Sequence, residues 1–154
     1  MTRAPRSWAP GLAFGVFSGA PRGRILARMA PVTSVHVALF GALITALALY
    51  TSSCRIRGGR NPDAAAKEAI QRASRAHGNT LEHGMVVLLL MLCAELNGGS
   101  EAWLRWIGGL FFAARLFYVY GMLKRPVSPP MRFGATLTYA LEIAAVYYLV
   151  SLLR

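Results

Sequence analysis

Followed by its apolar and polar positions, the chain divides into four long apolar stretches joined by short charged ones. From Pro31 to Cys54 there is no Asp, Glu, Lys or Arg. At about 1.5 Å of rise per residue, a helix over this run exceeds a hydrocarbon core of about 30 Å. Arg55, Arg57 and Arg60 stop it, and Asn61-Pro62-Asp63 turns the chain into Ala64-Ala65-Ala66-Lys67-Glu68-Ala69, a strong helix former with proline near its start. The purely apolar part of this second helix, Gly84 to Ala94, is short for a span. The helix must therefore include the charged segment before it, so it begins in water and carries a charged face inward. Glu95 and the glycine-rich run to Glu101 close it. A third span is expected from Ala102 to Leu123, containing Arg105 and Arg115, and ended by Lys124-Arg125-Pro126 and the pair Pro129-Pro130. The fourth runs from Phe133 to Leu153, with Glu142 at its centre. The expected fold class is an all-α membrane protein, a bundle of four transmembrane helices.

Composition agrees with that class. With 55% of residues hydrophobic and only 15% charged, the chain is too apolar for an ordinary soluble domain of its size. A net charge of +11 suggests nucleic acid at first sight. The cations, however, sit in the short segments between apolar stretches, as membrane topology places them, so no nucleic-acid partner is expected. Cys54 and Cys93 form neither a CxxC pair nor a metal-ligand spacing with histidine; reduced core thiols, with no metal, are the expectation.

Residues 1–28 carry five arginines, from Arg3 to Arg28, and no acidic residue. Glycines interrupt their apolar patch, and Met29-Ala30-Pro31 resembles a second start. They read as an N-terminal extension outside the fold, with the membrane domain occupying residues 29–154. Loop charge orients that domain. The first and third connections are basic and the second is acidic, which puts the two basic loops in the cytoplasm and both termini outside. The N-terminal arginines conflict with this orientation, a further reason to read them as an extension.

Three ionisable residues remain at membrane depth: Glu82, Arg115 and Glu142. Such residues mark functional sites unless they pair with one another, and a structural pairing of Arg115 with Glu82 or Glu142 is the simplest alternative. More than one pair is present, however. Arg75, Asn79 and Glu82 stand at i, i+4 and i+7, so a cation, an amide and a carboxylate share one helix face. The excess of polar groups points to a site for a polar, anionic molecule. His36, His77 and His83 read as interfacial or packing residues.

The segment Arg75-Ala76-His77-Gly78-Asn79-Thr80-Leu81-Glu82, as R-A-x-x-N-x-x-E on the second of four helices, resembles the signature of the MAPEG family, the membrane-associated proteins of eicosanoid and glutathione metabolism. Ala114-Arg115-Leu116-Phe117-Tyr118 is similar to that family's A-R-x-x-[YH] segment. The resemblance covers about residues 31–153 and fits a bacterial-type member in the inner membrane. It implies a homotrimer among membrane lipids. In its enzymatic members glutathione binds between subunits on the cytoplasmic side as co-substrate and is used on lipophilic small molecules. Carried over, Arg75, Asn79 and Glu82 would hold the charged ends of glutathione, with Arg115 and Tyr118 contributing from the third helix.

Arg132, near the start of the fourth helix, would be the catalytic arginine that stabilises the thiolate, and Tyr139, one to two turns further on, either lines the same cleft or serves as a packing residue. The implied function is a glutathione-dependent transferase or peroxidase acting on lipophilic electrophiles. Gly78 stands where some glutathione-using branches carry a second arginine, and the family has a non-catalytic branch. The alternative is therefore a non-enzymatic trimeric membrane protein that binds lipid or small amphiphiles.

Overall fold

A computed structural model describes residues 30–125 and 127–154. The expected extension, residues 1–28, lies outside them. Four helices follow one another: α1 (Pro31–Gly58), α2 (Ala64–Leu96), α3 (Glu101–Lys124) and α4 (Pro129–Leu152). All four are long and apolar enough to cross a membrane. They run alternately up and down, so the connections α1–α2 and α3–α4 share one end of the bundle and α2–α3 lies at the other.

Local sequence explains the helix limits. Pro31 stands in the first turn of α1, where its missing N–H costs nothing. The Asp63 carboxylate accepts a 2.7 Å hydrogen bond from Ala66 N and caps α2. Gly98 ends α2 with φ of 78°, and Gly98 N and Gly99 N donate back to the carbonyls of Glu95 and Ala94. This is a Schellman closure, which favours glycine at the left-handed position. The fourth helix begins earlier than the expected Phe133. Pro129 and Pro130, read from sequence as breakers, occupy its first turn, where proline is tolerated.

At 33 residues, α2 is about 50 Å long, well beyond the hydrocarbon thickness. Its first turns therefore project past the membrane at the end shared with the basic loops. The most buried element is α3, which contributes Leu104, Ile107, Phe111 and Ala114 to a core completed by Phe40, Val87, Met91, Leu141 and Ala145. Contact with α4 is at backbone distance. A Cβ on Gly134 would lie 2.5 Å from Ala114 O and from Tyr118 N, so only glycine fits there. Many large apolar side chains, among them Leu49, Trp106, Ile143 and Tyr147, point outward, as lipid-facing residues do.

The far end is tied together by polar contacts. Both Glu95 carboxylate oxygens accept hydrogen bonds at 2.8 Å, from Val32 N and Thr33 N, so the end of α2 caps the start of α1. Ser100 N donates to the Tyr148 hydroxyl at 2.6 Å, and the Tyr148 ring stacks on Trp103 at 3.8 Å. Both cysteines are free as expected, but Cys93 is exposed and Cys54 half-buried, not core thiols. The reason is helical phase: Cys93 falls between the buried Met91 and Ala94, on the outward side of α2.

Candidate functional site

Arg115 is fully buried at the centre of α3. Its Nη2 donates to Asn79 Oδ1 at 2.7 Å and, more weakly, to Thr80 Oγ1 at 3.4 Å; its Nη1 donates to Thr138 Oγ1 at 3.1 Å. The guanidinium also lies over the Tyr118 ring, 4.2 Å from its centre. These partners come from α2, α3 and α4, and every one is neutral. Among the described residues no carboxylate comes within ion-pair distance of Arg115, and its Nε has no hydrogen-bond partner. The structural pairing with Glu82 or Glu142 is therefore not what forms. Glu82 is exposed. Glu142 accepts instead from His83, whose Nδ1 lies 2.7 Å from its Oε1.

A buried cation with no carboxylate in contact at membrane depth costs several kcal/mol, which neutral hydrogen bonds offset only in part. Asn79 connects this cation to the surface. Because its carbonyl oxygen is held by Arg115, the amide NH2 is the part left to face outward. There an open groove of about 490 Å³ is lined by Gln71, Ser74, Arg75, Gly78, Asn79, Glu82 and Tyr118. Four of the six residues singled out from sequence thus meet in one place, with Arg115 directly behind them.

The face formed by Arg75 and Glu82 opens outward from the chain, not inward as the sequence reading had it. Helical phase is again the reason. The inward positions of α2 are taken by the small residues Ala73, Ala76, Thr80 and Gly84, which let α2 approach its neighbours.

Arg132 is not part of this groove. It sits exposed in the first turn of α4, with its backbone N–H bonded to Ser128 O. Tyr139 is also exposed; its ring meets His83 edge-on at 5.2 Å. His83, set aside on sequence grounds, proves to be half of a cross-helix pair, and Thr80 and Thr138 prove to be partners of Arg115. The available signal was spacing: His83 lies four residues after Asn79, and Glu142 four after Thr138, so each pair shares a helix face.

The model of the MAPEG family matches residues 33–152. Inner membrane protein YecN of Escherichia coli strain K12 is 40% identical over 57 residues, a match covering 36% of this chain and 43% of that protein. YecN of Escherichia coli O6:H1 matches to the same extent. The chain thus spans less than half the length of these curated relatives. No solved structure matches it. A match over most of the chain, four membrane-length helices and the polar groove on the second of them agree with one another: this integral membrane protein belongs to the MAPEG family.

Proposed function

We propose that the groove on α2 and α3 binds glutathione and that the protein conjugates it to lipophilic electrophiles, or uses it to reduce lipophilic peroxides. The observation that carries this reading is the buried guanidinium of Arg115, which has no carboxylate in direct contact and is joined through Asn79 to an open groove that also bears Arg75 and Glu82. Glutathione has two carboxylates and one ammonium. Arg75 and the Asn79 NH2 suit the carboxylates, Glu82 suits the ammonium, and Arg115 supplies the positive field behind them.

The groove is open on one side within a single chain, and Arg75, Glu82 and Arg132 all face outward. This arrangement supports a homotrimer in which a neighbouring subunit closes the groove. In such an assembly Arg132 of one subunit would act on the sulfur of glutathione held by another, lowering the thiol pKa and favouring the thiolate. The electrophile would approach from the lipid, since exposed Met85 and Val86 continue the α2 surface just beyond Glu82. By the distribution of lysine and arginine, the groove end faces the cytoplasm and the start of α1 lies outside. The likeness to an inner membrane protein supports the same membrane for this chain.

A calorimetric titration of the detergent-solubilised protein with glutathione tests the reading, with Arg75→Ala as control. Saturable binding that the substitution weakens is the expected result; no binding by the unaltered protein overturns it.

The non-enzymatic alternative draws on a different feature. An apolar groove of about 380 Å³ runs between α1 and α2, lined by Val37, Met85, Leu88 and Leu89 among others, and is suited to an acyl chain. Lipid retained in that groove, with no thiol chemistry, would favour it.

A further inference from the structure

The Arg115 cluster has a second polar layer beneath it. His83 and Glu142 follow Asn79 and Thr138 by four residues on α2 and α4, about 6 Å further toward the middle of the membrane. Their contact is short, 2.7 Å between Nδ1 and Oε1, and each side chain keeps 17% of its surface accessible. The other imidazole nitrogen, Nε2, has no hydrogen-bond partner among the described residues. The Tyr139 ring stands edge-on to the imidazole, and the exposed apolar residues Met85 and Val86 come next along α2. Neither residue lines the groove, but His83 stands one turn beyond Asn79 and next to Glu82, which do, and one turn before the exposed Val86, so the pair sits at the edge between the groove and apolar surface. A carboxylate on Nδ1 orients an imidazole and leaves Nε2 as the proton-exchanging atom.

We infer that His83, oriented by Glu142, is the proton donor to those electrophiles whose adduct must be protonated, of which a lipophilic α,β-unsaturated carbonyl compound serves as the probe. This rests on the thiol-conjugation reading above. As the sulfur–carbon bond forms, the carbon–carbon π pair shifts to join the α-carbon to the carbonyl carbon and the carbon–oxygen π pair moves onto oxygen; the enol made when that oxygen is protonated then tautomerises to the saturated carbonyl in water. His83 Nε2 gives its proton to that oxygen. The proton released when the thiol ionised returns to Nε2 through water, so nothing is oxidised or reduced. Displacement on an aryl chloride differs: chloride leaves with the bonding pair, and the adduct needs no proton.

The experiment compares kcat for nonenal with kcat for chlorodinitrobenzene, both with glutathione, in the unaltered protein, His83→Gln and Glu142→Gln. A general acid contributes about a hundredfold or more to a step that needs it, and water replaces part of that. The expected result is a ratio of the two rates that falls about tenfold or more in His83→Gln and less in Glu142→Gln, with KM for glutathione little changed. A purely structural tie between α2 and α4 would lower both rates together and leave their ratio alone, and that outcome overturns the inference whatever the absolute loss. Absence of conjugation by the unaltered protein overturns it too. Calorimetry with glutathione then separates the two readings: binding without conjugation leaves the groove assignment standing, and no binding removes both.

Discussion

Where α1 begins and α2 finishes, polar groups are spent on the fold itself. Glu95 caps α1 through two backbone N–H groups, glycines close α2, and Tyr148 takes the N–H of Ser100. Where α1 finishes and α2 begins, Arg55, Arg57, Arg60, Lys67, Arg75, Lys124, Arg125 and Arg132 are all exposed, and a buried cation stands behind a groove without a countercharge. One end turns most of its polar groups onto its own backbone, whereas the other holds a buried cation that no carboxylate touches. In a bundle of four similar helices, this difference separates structural polarity from polarity available to a ligand.

Substitutions can break or sharpen that contrast. The largest effect is expected at Arg115. Arg115→Met should reduce glutathione affinity about a hundredfold or more, roughly 2.7 kcal/mol. The unliganded protein should nevertheless stay within about 1 kcal/mol of its original stability, because relief of the buried charge offsets the lost hydrogen bonds. Calorimetry and thermal unfolding in detergent measure both. A loss of several kcal/mol of stability would make Arg115 structural glue and erase the contrast.

Glu95→Ala tests the opposite end. It leaves Val32 N and Thr33 N without acceptors and should lower stability by about 2 kcal/mol, with glutathione affinity unchanged. An unfolding transition at the original temperature would show that the cap contributes nothing. Arg75→Ala should do the reverse, with affinity down about tenfold and no shift in the unfolding temperature, since the side chain is exposed. Smallest is Tyr148→Phe, which keeps the stack on Trp103 and removes one hydrogen bond. A loss of about 0.5–1 kcal/mol in thermal unfolding, with no effect on binding, is expected.

How far the sequence could be read follows from the range over which each feature acts. The four spans were legible because length and apolarity are properties of one segment. The face of Arg75, Asn79 and Glu82 was legible because helical spacing alone brings those residues together. The start of α4 was misjudged because Pro129 and Pro130 suit a first helical turn as well as they suit a break. Partnerships across helices were hidden. Arg115 meets Thr138 and Asn79, and His83 meets Glu142, through the relative axial placement of α2, α3 and α4. That placement depends on close contacts such as Gly134 against Ala114, which no single segment specifies. For the same reason the phase that turns Arg75 outward and Cys93 away from the core emerges only once Ala73, Ala76 and Met91 are known to face inward.

If the groove takes glutathione as proposed, the buried charge of Arg115 also ties the protein's lifetime to its surroundings. A ligand that supplies the missing anion binds the folded chain and not the unfolded one. At a concentration a hundred times its dissociation constant, it deepens folding by about 2.7 kcal/mol. In a cell with abundant thiol the filled protein would resist proteolysis, whereas under oxidative depletion the empty protein would be the one cleared. Its abundance would then follow the supply of that ligand, through a guanidinium that no carboxylate of the described residues touches.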